Sequence, residues 1–143
     1  ARRMVIFASE DIGNADPHAI SVATAVAHAV EYVGMPEAQL SLAQGATYLA
    51  TAPKSNASCQ GLMRALDDVK NERTMSVPLH LRSSSYKGAK ELGHGEGYKY
   101  PHNYEGHFVE QEYIPKKRRY YEPSDNGYEK EIKERLKKWR EEK

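Results

Sequence analysis

Apolar positions set the first half of the chain apart from the second. Met4, Val5, Ala8 and Ile12 recur at helical spacing, and Gly13 follows as the kind of residue on which helices stop. Asp16 and Pro17 then offer a carboxylate cap and a first-turn proline to a second helix, about Pro17 to Val33. That helix is apolar over most of its circumference, and Ser21, Thr24, His28 and Glu31 form its one narrow polar strip. The pattern predicts a central helix packed by several neighbours. Gly34 closes it, and Pro36 opens a third helix through Leu40, Ala43, Ala46, Thr47 and Ala50 to about Thr51, where small side chains permit close helix contacts. Ser55, after Pro53, caps a fourth through Leu62, Leu66 and Val69 to Asn71. Four helices joined by short turns predict a compact antiparallel array.

From Met75 the helical period is lost. Val77, Leu79 and Leu81 alternate with Pro78 and His80, which predicts an extended segment confined to an edge, followed by a short helix over Lys87 to Leu92. Gly93 to Pro115 is rich in Gly and Tyr and is expected to wrap across the helical body and lay its rings there, with or without a small hairpin. Ser124 or Asp125 then caps a last helix whose apolar stripe is Tyr128, Ile132, Leu136 and Trp139. Glu129 with Lys133, Glu131 with Arg135 and Glu134 with Lys138 read as exposed i,i+4 pairs. The expected fold is therefore mainly α, a multi-helix array with little or no β. It forms one domain with a helical core (1–72), a wrapping loop region with a short helix (73–123) and an amphipathic C-terminal helix (124–143).

Composition sharpens this division. Residues 1–72 carry five Lys and Arg against eight Asp and Glu, and residues 73–143 carry sixteen against twelve, so a net charge of +1 conceals −3 and +4. Eight of the ten tyrosines lie in the second half. One cysteine, Cys59, excludes an internal disulfide. No apolar run is long enough to span a bilayer and no signal-peptide pattern is present, so a cytoplasmic, nucleoid-associated protein without membrane partners is expected. The chain opens on Ala1 without an initiator Met or a capping residue, and reads as a piece of something larger.

Candidate chemistry is sparse. The glycines of Gly93 to Gly97 lack the Gly-Lys-Ser/Thr of a phosphate loop, and the six histidines and Cys59 lack metal-ligand spacing. No catalytic, cofactor-binding or metal residue is expected. Lys54, Ser55 and Asn56 stand at a helix N-terminus, where free amides beside a lysine suit an anion; simple capping with Lys54 in solvent is the alternative. Lys116, Lys117, Arg118, Arg119, Tyr120 and Tyr121 combine four cations with two stacking rings, a composition suited to single-stranded nucleic acid; the alternative is a solvated loop anchored by its tyrosines. Arg2 and Arg3 are candidates for contact with an upstream domain.

Several blocks carry a resemblance. Arg2 to Gly13, Ala15-Asp16-Pro17, Gly34 to Ala38, Ala52 to Ala57, Val77 to Arg82, Lys90 to Tyr98, Gln111 to Pro115 and Tyr120 to Glu129 together resemble the carboxy-terminal region of the replication-associated recombination protein A family. These are clamp-loader-like AAA+ ATPases, also called maintenance of genome stability protein A, with the Werner helicase-interacting protein as eukaryotic counterpart. The blocks span essentially the whole chain in the family's order. The resemblance implies a helical collar that assembles subunits into a homo-oligomer, a tetramer foremost, within a DNA-dependent ATPase acting in replication, recombination and repair. It also implies association with single- or double-stranded DNA through the parent protein and with single-stranded DNA-binding protein. ATP and Mg belong by the same resemblance to an upstream module whose motifs are absent here, so no catalytic residue carries over. A DNA-binding or replisome-partner-binding module of the same ATPase is the alternative.

Overall fold

In the computed structural model, which describes residues 1–72 and 74–141, the first helix changes character before it ends. Helix α1 (Arg2–Phe7) passes into a π-helical turn over Ala8–Ile12 and a 3-10 turn over Gly13–Ala15. This remodelled end receives the segment ahead of the fourth helix: the Asp11 carbonyl accepts the Ser55 N–H at 2.8 Å. Gly13 has φ +53°, and a Cβ there would lie 2.8 Å from the Ser55 carbonyl oxygen, so glycine is required by both conformation and space.

Helices α2 (Ala19–Val33), α3 (Ala38–Thr51) and α4 (Ala57–Asn71) follow, as the periodicity predicts. The Asp16 carboxylate accepts the His18 N–H at 3.0 Å, so it caps α2 with Pro17 and His18 in the entry turn. Ala8, Ile12, Ala19, Ala23 and Leu49 form the core, bordered by Met4, Val5, Phe7 and Ala52. With alanines at three of five core positions, helix backbones pack closely. Gly45 of α3 lies close against α2, since a Cβ there would meet Val26 Cγ2 at 2.8 Å.

Helix α2 packs against several neighbours, α3, α1 and the π-helical turn, as its pattern predicts, but they cover only part of its circumference. Only Ala19, Ala23 and Val26 are buried, while Tyr32 is 84% and Val33 53% exposed. The small residues form the face that fits against neighbouring helices, and the larger apolar residues lie off it. Helix α4 is similar: the Leu62, Leu66 and Val69 that predict it are all more than half exposed, as is Met63 beside them.

The chain gathers into two units, Ala1–Asp68 with Tyr120–Lys143, and Val69–Arg119. By sequence, the first holds eleven Lys and Arg against fourteen Asp and Glu (−3), and the second ten against six (+4). Arg73 of the expected loop region and Glu142 and Lys143 of the expected last helix lie outside the described residues.

Among the described residues the second unit has no strand. Residues 74–78 lead into a 3-10 turn at Leu79–Leu81, whose Leu79 carbonyl accepts the Gly95 N–H at 2.9 Å. The helix expected over Lys87 to Leu92 is replaced by successive turns over 87–97. Gly88 and Gly93, at φ +86° and +71°, lie outside the right-handed helical region. Two further 3-10 turns occupy Pro101–Asn103 and Glu105–His107. Tyr86, Tyr98, Tyr100, Tyr104 and Tyr113 each keep 43–55% of their surface in solvent, so these rings are not buried as expected.

Helix α5 (Glu129–Glu141) begins later than Ser124 or Asp125 would allow as caps. Gly127, at φ +52°, presses against the Ala15 carbonyl and Pro53, and the Tyr128 N–H donates to that carbonyl at 2.9 Å. Residues 124–128 are thereby held in a turn against the first unit's N-terminal segment.

Candidate functional site

The strongest polar constellation joins three distant parts of the first unit. Ser55 precedes α4 because its hydroxyl can accept the Ala57 N–H, which it does at 3.2 Å. The same hydroxyl donates to Glu129 Oε2 at 2.6 Å. Glu129, wholly buried, also accepts the Ser124 N–H at 2.7 Å and the Tyr121 hydroxyl at 2.9 Å. Tyr121 in turn accepts from Asn14 Nδ2 at 3.3 Å, and Asn14 donates to Ser58 Oγ at 3.2 Å. A buried carboxylate is stable only when its oxygens are met by donors, and here three donors meet them.

The electrostatics follow from this arrangement. Burial pushes the Glu129 carboxyl up, but hydrogen bonds from Ser55, Ser124 and Tyr121 outweigh it and hold the group below the ordinary carboxyl range. Burial, and then donation to Glu129, raise the Tyr121 phenol despite the opposing bond from Asn14. The site therefore holds one negative charge at neutral pH. An anion does sit beside the N-terminus of α4, and it is the chain's own Glu129.

An open cleft of about 470 Å³ adjoins this junction, lined by Phe7, Asp11, Lys54, Ser55, Asn56, Ser124 and Asn126. Lys54 does not reach into solvent there. Its ammonium donates to the carbonyls of Leu49 (3.0 Å), Ala50 (3.2 Å) and Ala52, closing the C-terminal end of α3, and lies 5.7 Å from the Phe7 ring centroid. Asn56 is exposed, and Asn126 Nδ2 donates to the Lys54 carbonyl at 3.0 Å.

The basic run divides between the units. In the second, Lys116 (3.2 Å) and Arg118 both bind Glu72, and Lys117 lies 3.8 Å from Glu110. Arg118, then Lys116, hold the Glu72 carboxyl below its usual value. Arg119 is exposed. In the first unit, the Tyr120 hydroxyl donates to Asp68 Oδ2 at 2.9 Å, its carbonyl accepts from Arg64 at 3.2 Å, and Tyr121 serves Glu129. Three of the four cations are thus engaged by carboxylates, and both phenols are turned to carboxylates of their own unit. Arg2 and Arg3 are exposed on the first turn of α1.

The remaining candidates assemble no centre. Among the described residues no three His, Cys, Asp or Glu side chains converge to hold a metal ion. His94 Nδ1 pairs with the Tyr86 hydroxyl at 2.6 Å, and the Nδ1 atoms of His102 and His107 lie 3.2 Å apart. Cys59 is half-buried on α4. Gly93, Gly95 and Gly97 all have positive φ and shape turns.

Glu129 itself was not legible as a site residue. Its spacing to Lys133 suggested an exposed pair, yet Lys133 binds Asp125 instead, at 2.8 Å. The available signal was position: a carboxylate in the first turn of a helix can reach back to an upstream backbone N–H, as Glu129 does to Ser124.

Residues 1–140 match the family described as MgsA AAA+ ATPase C terminal. The chain belongs to this family. It is 43% identical over 130 residues to replication-associated recombination protein A of Bacillus subtilis, covering 89% of this chain and 31% of that protein. An AAA domain-containing protein of Mycobacterium tuberculosis is 49% identical over 139 residues, 95% of this chain and 31% of its own length. The Dictyostelium discoideum protein named ATPase WRNIP1 is 41% identical over 115 residues, 80% of this chain and 13% of its own. The chain thus spans about a third or less of the relatives it matches, consistent with a C-terminal part of such a protein. The helical architecture agrees with membership of this MgsA C-terminal family, and among the described residues no helix is long and apolar enough to cross a membrane.

Proposed function

We propose that this chain is the assembly domain of a DNA-dependent AAA+ ATPase acting in replication-fork maintenance, recombination and repair. Exposed apolar surface on α4 is the observation that carries the reading. Leu62, Met63 and Leu66 are 53–56% exposed on one stretch of that helix. A helix that keeps such a stripe in water gains by covering it: at roughly 25 cal/mol per Å², each large apolar side chain fully buried contributes about 1.5–3 kcal/mol. Tyr32, Val33 and Leu40 on α2 and α3 supply further uncovered apolar area. In this reading copies of the domain associate as a homo-oligomer, with a tetramer the expected form. Arg2 and Arg3 begin α1 where an upstream module, the holder of ATP and Mg, would adjoin it. DNA, and single-stranded DNA-binding protein, would be engaged by the parent protein in the cytoplasm at the nucleoid.

Sedimentation equilibrium of the 143-residue chain at micromolar and higher concentration tests the reading. A mass that is a multiple of 16.2 kDa is expected. A strict monomer throughout would overturn it.

A further inference from the structure

We infer that the second unit carries an open binding site for a divalent transition ion of the zinc and copper type, held by Nδ1 of His102 and Nδ1 of His107. These two atoms lie 3.2 Å apart. Two imidazole nitrogens bonded to one tetrahedral zinc ion stand about 3.3 Å from each other, so the pair is already spaced to share an ion. The rings are tilted at 59° with centroids 4.9 Å apart, rather than stacked face to face with their lone pairs running side by side.

Backbone hydrogen bonds hold both histidines in place. His102 lies within the Pro101–Asn103 turn, where the Asn103 N–H donates to the Tyr100 carbonyl and the Tyr104 N–H to the Pro101 carbonyl, each at 3.0 Å. His107 ends the next turn, its own N–H donating to the Tyr104 carbonyl at 3.1 Å. The chain reverses at Gly106 (φ +65°) and at His107 itself (φ +54°), a left-handed conformation that residues other than glycine seldom adopt. That reversal brings the two rings together. Tyr100 braces the first of them, its ring centroid 5.1 Å from that of His102.

Ligand chemistry selects the ion. Neutral imidazole suits zinc, nickel and copper, with copper(II) bound most tightly, whereas magnesium and calcium require oxygen ligands that this pair does not offer. Among the described residues no third His, Cys, Asp or Glu joins the two histidines, and both side chains are exposed, so water reaches the remaining coordination positions. The site is therefore an open, exchangeable one rather than a closed structural centre. Without an ion the same contact is a hydrogen bond, one Nδ1 carrying the proton and the other accepting it. On binding, that proton moves to Nε2 of its own ring, and both Nδ1 lone pairs meet the metal. The site is independent of subunit assembly.

The test is isothermal titration calorimetry of zinc chloride into the 143-residue chain carrying Cys59→Ser, which removes a competing thiol. Saturation at one ion per chain is expected. His102→Gln and His107→Gln are each expected to weaken binding by about tenfold or more, while His94→Gln binds as the parent does, because the Nδ1 of His94 is already paired with the Tyr86 hydroxyl. Histidine ring-nitrogen NMR identifies the ligating atoms without relying on these variants: the Nδ1 resonances of His102 and His107 are expected to shift when zinc is added. No binding up to millimolar zinc, binding unmoved by either glutamine variant at positions 102 and 107, or a metal shift at Nε2 in place of Nδ1 would each overturn the proposal. Sedimentation with and without zinc reports assembly separately, so failure of the metal site and failure of the assembly reading are distinguishable.

Discussion

Glu129, wholly buried at the start of α5, accepts a 2.6 Å hydrogen bond from the hydroxyl of Ser55, 74 residues earlier in the chain. That bond links the cap of α4 to the first residue of the last helix. Tyr121 and Asn14 extend it to the 3-10 turn after α1. Three elements therefore depend on one carboxylate.

Glu129→Ala strands the donors of Ser55, Ser124 and Tyr121 in a buried site and is expected to cost about 2–4 kcal/mol. Glu129→Gln keeps one acceptor oxygen and should cost less. The folded-state value of this carboxyl lies below its unfolded value, so its contribution is fully present above about pH 4.3 and is lost as pH falls through the folded value. Urea unfolding from pH 7 down to pH 3 checks both points: the parent should lose stability at the acid end, and Glu129→Gln should show a shallower acid loss.

Two glycine substitutions should differ in kind. At Gly45, alanine offers about 1 kcal/mol of helix propensity, but its Cβ would meet Val26 Cγ2 at 2.8 Å, and relieving that overlap costs about 1–3 kcal/mol. A modest net loss is expected, recovered in Gly45→Ala combined with Val26→Ala. Gly127→Ala has no such remedy, because its neighbour is the Ala15 backbone and its φ is +52°. Thermal melts of the three variants check this, with Gly127→Ala expected to be the least stable.

Leu62→Glu with Leu66→Glu places two charges on the exposed stripe of α4. Since both positions are more than half exposed, the monomer's own packing is little affected, and the expected result is a shift to lower mass in sedimentation with the helical circular-dichroism signal retained. Unchanged mass would move the assembling surface away from α4.

Lys54→Met removes the ammonium from the C-terminal carbonyls of α3 while keeping an unbranched apolar side chain beside Phe7. A loss of about 1 kcal/mol is expected from the uncapped carbonyls. Added phosphate should not stabilise the parent through this lysine, because its donors are already engaged. A phosphate-dependent rise in melting temperature that Lys54→Met abolishes would contradict that account.

Local signals were read correctly where one residue's own chemistry decides. Gly34 at the end of α2, Asp16 at its entry and Ser55 before α4 act as their types require, since capping involves only neighbouring backbone. The helix expected over Lys87 to Leu92 does not form because Gly88 inside it takes positive φ, a conformation set by the turn it joins. Tyr121 reads as a stacking ring or an anchor from its type alone; that its hydroxyl donates to Glu129 depends on a residue brought within reach by the fold.

By itself the sequence determined the five helices α1 to α5, though not the absence of one over Lys87 to Leu92, and it determined the family, all of which rest on short-range spacing or on matched blocks. Tertiary structure decided which apolar residues meet. Alanines of α2 lie in the core, where small side chains let helix backbones approach, whereas Leu62, Met63 and Leu66 of α4 stay in solvent. It also decided that Glu129 is an interior anion. Periodicity cannot show this, since a carboxylate becomes buried only when donors from three distant segments arrive to meet it.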